Sequence, residues 1–177
     1  MVEIYTDGST RGNGKKGNCG GYGICVIKYP NKSNINNCID YLYNEQVNNT
    51  TNNRMELQAI IAALQLTQVR YKNEKCIIKS DSAYCVNMIN DWIYKWRDNN
   101  WTRYKGQPIE NLDLVKQIWE YLKIEWPNFT VEKVPGHSNV LGNIIADYLA
   151  TNNLPKLLKI LKENDIEDYI LENIDLD

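Results

Sequence analysis

The chain has 177 residues, 20 Lys and Arg against 22 Asp and Glu, a formal net charge of -2, and 43% hydrophobic residues. That length and balance suit one domain with a buried core, and no second catalytic domain is expected. Five cysteines, odd in number and without a C-x-x-C pair, exclude a cysteine-built scaffold and read as reduced, partly buried thiols.

Val2 to Thr6 alternates and is rich in strand formers, and a glycine-rich turn is predicted over Gly8–Gly17. Gly20–Tyr29 and Ile39–Gln46 read as two further strands, completing an antiparallel meander with a polar, insertion-like loop at Asn31–Asn37. The apolar period then changes from 2 to 3.6. Leu57, Ile60, Ile61, Leu64 and Leu66 mark a helix over Arg54–Tyr71. A strand at Cys76–Lys79, a short helix at Ser82–Asn90 and an irregular, protruding segment at Trp92–Trp101 follow. A helix at Ile109–Ile124, a strand at Phe129–Val134 and a helix at Asn139–Asn152 close the domain. This order predicts an α/β fold around a mixed sheet.

Four acids sit where these elements start or stop: Asp7, Glu56, Asp81 and Asp147. Each has an ordinary alternative. Asp7-Gly8 is a turn dipeptide, Glu56 follows Asn53 at the spacing of a capping-box acid, and Asp81 suits the cap of the next helix. Asp7 and Asp81 nevertheless follow strands expected to be parallel neighbours, and such sheets bind ligands beyond the carboxyl ends of their strands. Clustered carboxylates repel and raise one another's pKa unless cations join them. Mg2+, a hard ion that prefers oxygen ligands, suits such a nest. His137, the single histidine, lies on a Gly-flanked loop ten residues before Asp147 and is a proton-transfer candidate.

The motifs carry a resemblance when taken together. Thr6-Asp7-Gly8-Ser9, the run from Thr51 to Leu57, Ser80-Asp81-Ser82 with Trp92 and Trp96, and Gly136-His137 followed by Asn143, Ala146 and Asp147 occur in that order. From about Ile4 to about Ala150 the chain resembles the type 1 ribonuclease H family, which cleaves the RNA strand of RNA/DNA hybrids. The resemblance implies a ribonuclease H-like mixed five-stranded sheet, a three-strand antiparallel meander plus parallel strands, flanked by helices. It also implies two Mg2+ ions, with Mn2+ as a substitute. Asp7 would bridge them, Glu56 and Asp81 would ligate one side and Asp147 the other, and the products would carry 5'-phosphate and 3'-hydroxyl ends. His137 would assist water activation or product departure. Asn13, Asn52 and Asn53, with Thr10, match the family's RNA-strand contacts, and Thr51 its pocket for a DNA-strand phosphate.

Trp92, Trp96 and Trp101, interleaved with Lys95, Arg97, Arg103 and Lys105, suit a groove that packs on sugars and pairs with phosphates. The same tryptophans would also serve as anchors to the core. The chain departs from the family pattern at Ala83, where many relatives have Gln, at Asn139, where a glycine is usual, and in a protrusion poorer in lysine. The competing readings are another phosphoryl-transfer enzyme on the same scaffold and a noncatalytic hybrid-binding module.

The expected organisation is a catalytic domain over residues 1–152 and an acidic amphipathic C-terminal helical extension over 153–177. The extension starts with Pro155 in a first helical turn and an apolar stripe of Leu154, Leu157, Leu158 and Leu161. Residues 151–177 hold three Lys against seven acids, which leaves residues 1–150 at +2 and points to a local basic patch rather than a broad field. Packing on the domain and binding a protein partner are both open to the extension. No apolar run nears the roughly 20 residues that span a bilayer, and Met1-Val2-Glu3 enters a strand directly. A monomeric, cytoplasmic or otherwise intracellular protein is expected.

Overall fold

The computed structural model describes residues 1–13, 15–29, 38–136, 139–164 and 166. Five strands form one sheet in the order β3-β2-β1-β4-β5. Strands β1 (Val2–Arg11), β2 (Cys19–Lys28) and β3 (Ile39–Asn48) make the antiparallel meander, while β4 (Cys76–Ser80) and β5 (Phe129–Lys133) run parallel to β1. The expected mixed α/β sheet is therefore present. The loop expected at Asn31–Asn37 lies outside the described residues.

Helix α1 (Asn52–Val69) crosses from β3 to β4. It starts two residues earlier than its apolar stripe suggests, because Thr51 is the N-cap: its Oγ1 accepts the Arg54 N–H at 3.3 Å. The short helix and the protruding segment form one path: α2 (Ala83–Asn87), a π-helical turn (Met88–Trp92) and α3 (Ile93–Asp98). Helix α4 (Leu112–Leu122) starts three residues later than expected, since Asn111 at its N-cap takes a left-handed conformation with φ 55°. Helices α5 (Leu141–Ala150) and α6 (Leu154–Glu163) follow β5. Among the described residues no helix is long and apolar enough to cross a membrane.

Period-2 alternation divides the buried strand residues between the two faces of the sheet. Ile4, Ile24, Val26 and Ile78 pack with Leu57, Ile60 and Leu64 of α1 and with Leu114 and Ile118 of α4. On the opposite face, Tyr5, Cys25, Ile27 and Leu42 pack with Ile145 and Leu149 of α5. Leu157, Leu161 and Ile166 join that second core, so α6 closes the α5 side of the sheet. Four of the five cysteines are buried and none is in a disulfide.

Strand β1 continues to Arg11, past the predicted start of the turn, because Gly8–Arg11 still pair with Cys19–Tyr22. Two glycines in these strands serve helix approach rather than turning. A side chain at Gly8 would collide with the backbone of Met55 and Glu56, so its absence lets α1 close onto β1. Gly23, the register partner of Asp7, lies against Ala146 and Ala150 and lets α5 close onto β2 from the other side.

Candidate active site

The parallel ladder between β1 and β4 ends at the pair Thr6–Ser80, and the next residue on each strand is an aspartate. Asp7 and Asp81 are thus delivered to the same carboxyl edge of the sheet. Glu56 reaches it from the second turn of α1 through the contact that Gly8 permits. Carboxylate oxygens of Asp7, Glu56 and Asp81 all lie within 4.8 Å of one another. Asp147, exposed on α5, stands outside that group of three but lines the same cleft, together with Ser9, Asn52, Asn139 and Asn143.

The bland readings of two acids fail on inspection. Thr51 caps α1, so the capping-box role proposed for Glu56 does not exist. Ser82 caps α2 by accepting the Cys85 N–H at 3.3 Å, which leaves Asp81 out of that task as well. Both carboxylates are free of helix-capping work.

Electrostatics in the cleft are unfavourable without a counter-charge. Burial, followed by the charges of Asp81 and Asp147, pushes the Asp7 carboxyl up to about 8, against a partial opposing effect of the Gly8 N–H. Burial, followed by Asp7 and Asp81, pushes Glu56 up to about 9, again opposed by the Gly8 N–H. Glu56 Oε2 is buried and has no hydrogen-bond partner among the described residues, and the same holds for Asn143 Oδ1. An all-oxygen donor set with an orphaned buried carboxylate oxygen fits a hard divalent cation, whose charge reverses the repulsion.

At the mouth of the cleft the asparagines tie two elements together. Asn13 Oδ1 accepts the Asn52 N–H at 3.0 Å, and Asn52 Oδ1 accepts from the Thr10 N–H at 3.1 Å and the Thr10 hydroxyl at 3.3 Å. Their carbonyl ends join the β1–β2 hairpin to the start of α1. Their Nδ2 groups make no hydrogen bond among the described residues, and both residues are exposed. Asn53 is exposed beside them.

The RNase H family profile matches residues 1–154. Ribonuclease H of Clostridium botulinum (strain Hall) is 39% identical over 152 residues, 84% of this chain and 92% of the relative. Ribonuclease H of Caldanaerobacter subterraneus subsp. tengcongensis is 39% identical over 160 residues, 90% of this chain and 94% of the relative. This chain belongs to the RNase H family. Its fold agrees with a solved member: the solution structure of the PFV RNase H domain superposes with a TM-score of 0.72 at 25% identity, covering 85% of this chain and 92% of that one.

The remaining sequence-derived positions fall at other places. Trp92 and Trp96 line a separate groove with Tyr84, Arg103, Ile109 and Glu110. Their rings pack in sequence, Tyr84 to Trp92 and Trp92 to Trp96, each with centroids 6.0 Å apart. Both tryptophans, and Trp101, are half-buried against the α1-side core, so the anchoring role is real for all three. Several cations of this segment already have partners. Lys95 pairs with Asp91 at 2.6 Å, Arg97 with Asp98 at 2.7 Å, and Arg103 Nε donates to the Pro108 carbonyl at 2.9 Å.

Arg54 is a fastener: it grips Asp113 of α4 through two hydrogen bonds of 3.0 and 2.7 Å. Gly136 passes against Asp81, where an added Cβ would sit 3.3 Å from Oδ2. His137, the next residue, lies outside the described residues. Asn143 was not singled out as a site residue from the sequence. Its spacing of four before Asp147 on a helix, which sets both on one face, was the available signal.

Proposed function

We propose that this chain is a divalent-metal-dependent endonuclease that cuts the RNA strand of RNA/DNA hybrids and leaves 5'-phosphate and 3'-hydroxyl ends. The observation that carries the reading is the packing of Asp7, Glu56 and Asp81 oxygens within 4.8 Å, with Glu56 Oε2 buried and unpartnered. Such a nest is stable in its ionised form only with cations in it. Membership of the RNase H family supports the choice of substrate.

In this reading Asp7, Glu56 and Asp81 would hold one Mg2+, or Mn2+ in its place, and Asp7 and Asp147 would serve a second. Bound ions of this kind supply a Lewis acid for charge developing on the phosphodiester and a low pKa for water. The protein's own contribution is position. The two parallel strands fix Asp7 and Asp81 on rigid backbone, and α1 and α5 bring the other two acids from opposite sides. Asn13, Asn52 and Asn53 offer side-chain amides to ribose 2'-hydroxyls, the group by which RNA differs from DNA. Thr51, already the α1 cap, would take a DNA-strand phosphate, as its match to the family's pocket implies. Trp92 and Trp96 offer a surface for sugars away from the cut. His137 accepts or donates a proton at the reacting oxygen.

The organisation that goes with this function is a catalytic domain over residues 1–152 with 153–177 as an extension. Leu157 and Leu161, 1% and 0% exposed, favour a stabilising role for the extension over a partner-binding one. The enzyme acts as a monomer in this reading.

The test is cleavage of an end-labelled RNA/DNA hybrid beside RNA/RNA and DNA/DNA duplexes, with Mg2+, with Mn2+ and with chelator. Cutting confined to the RNA of the hybrid and abolished by chelator is expected. Equal cutting of DNA/DNA, or activity in chelator, would overturn the reading.

A further inference from the structure

A second groove adjoins the carboxylate cleft, and Ser9 lines both. Its walls include Thr10, Arg11, Gln46, Thr151 and Asn152, and it brings the end of β1 together with the end of α5. The lining is rich in hydrogen-bonding groups and carries one cation, Arg11. No residue of the carboxylate nest other than its neighbour Ser9 enters it.

Arg11 is poorly engaged. Its one hydrogen bond among the described residues runs from Nη2 to the Thr151 carbonyl at 3.4 Å, at the long limit for such a bond. It makes no ion pair among the described residues, and the sequence contains no acid between Asp7 and Asp40. A guanidinium has five donors in a planar fork that matches phosphate oxygens, so most of its capacity is unused here. Lys15 and Lys16, exposed in the following turn, add to the positive character of this hairpin tip.

The placement has a physical logic. A polyanion approaching four carboxylates is repelled, and a cation fixed just outside them on the same rigid strand offsets that repulsion and sets the register of the strand being cut. Arg11 is four residues beyond Asp7 on β1, about 13 Å at the strand rise. That distance spans only a few nucleotides of one strand. Asn13 and Asn52, whose amides face the RNA strand in the reading above, are fixed to the same hairpin.

We propose that this groove is a binding site for a backbone phosphate of the RNA strand, a few nucleotides from the linkage that is cut, with Arg11 as the residue that grips it. The inference rests on the hybrid-cleaving function proposed above.

Cys19 makes it testable without catalysis. It is the register partner of Arg11, lines the same groove and is exposed, whereas the other four cysteines are buried. An Asp81→Asn protein saturated with RNA/DNA hybrid in Mg2+ should show alkylation of Cys19 by iodoacetamide slowed at least about tenfold, as expected of a site occupied by ligand. A DNA/DNA duplex of equal length should protect far less. Shortening the RNA stepwise from one end should abolish protection at a defined length, and shortening from the other end should not.

In the otherwise unaltered enzyme, Arg11→Gln should raise KM about five- to tenfold with a smaller change in kcat. It should also reduce the logarithmic salt dependence of kcat/KM by about one. Arg11→Lys should restore the salt dependence. Undiminished Cys19 alkylation on saturating hybrid, or a wild-type KM and salt slope in a folded Arg11→Gln protein, would overturn the inference while leaving the activity standing. Failure of the wild-type protein to cut the hybrid would overturn both.

Discussion

Asp7 and Asp81 directly follow Thr6 and Ser80, the last register pair of the parallel β1–β4 ladder, and they carry oxygens within 4.8 Å of each other. Two strands separated by most of the α1 crossover thus end in adjacent carboxylates. The arrangement is held by ladder hydrogen bonds, so either acid can be altered without disturbing the pairing beneath it. Asp81→Asn should leave the circular dichroism spectrum unchanged and lower kcat on RNA/DNA hybrid by about 10³-fold or more, a loss of about 4 kcal/mol of transition-state stabilisation. Full activity in that variant would remove Asp81 from the site.

Gly8 sets the distance between β1 and α1. A methyl group there meets the Met55–Glu56 backbone, which cannot move without shifting the whole helix. Gly8→Ala should destabilise the fold by about 1–3 kcal/mol, read as a lowered urea midpoint. Activity should fall further than stability alone explains, because Glu56 is displaced. A variant with wild-type midpoint and wild-type rate would show that the approach is not needed.

Stability without metal should fall as pH rises. Asp7 and Glu56 have folded-state values of about 8 and about 9 against ordinary values of 3.8 and 4.5. The folded state therefore holds their protons more tightly than the unfolded state. Their contribution is complete below the ordinary values and is lost progressively as pH climbs through the folded ones. In chelator, the Tm of the wild type relative to Asp7→Asn should drop between about pH 5 and pH 9, with Asp7→Asn higher by roughly 5 °C at the alkaline end. Added Mg2+ should narrow the gap. A difference that does not change with pH would contradict the electrostatic account.

His137 is assigned a proton-transfer role from sequence, one residue beyond Gly136, where an added Cβ would lie 3.3 Å from Asp81 Oδ2. General acid–base groups contribute typically 10²–10⁴-fold. His137→Ala should slow turnover about 10²-fold, leave cleavage measurable and remove one limb of the pH–rate profile. An unchanged rate would reduce His137 to a loop residue.

Removing everything after Asn153 deletes Leu157 and Leu161, both fully buried against the α5 side of the sheet. At roughly 1.5–3 kcal/mol per buried leucine, the loss should be about 3 kcal/mol or more, seen as a Tm lower by about 10 °C. An unchanged Tm with loss of a co-purifying protein would assign the extension to a partner instead.

Much of this molecule is legible along the chain. Alternation in Val2–Thr6, the stripe from Leu57 to Leu66 and Pro155 at the head of α6 each report a local preference, because strand and helix periods are properties of neighbouring residues. The four acids were visible through their local motifs, yet only Asp81 ends at an element boundary: Asp7 lies within β1, Glu56 in the second turn of α1 and Asp147 within α5. What was not visible is which neighbour relieves them of ordinary duties. Thr51 and Ser82 take the two caps, a choice made by backbone geometry at the helix starts and not by residue type, since Asn53 and Asp81 are equally good cap formers.

The residues alone thus determined the elements, the mixed sheet and the set of carboxylates with an affinity for hard cations. Folding decided the rest. It set Asp7 against Asp81 through a parallel register, drew Glu56 in through the gap at Gly8, and left Asp147 on the rim beside Asn143. It also opened the groove at Arg11. Those outcomes depend on how helices approach a sheet, which is governed by steric contact between residues far apart in the chain.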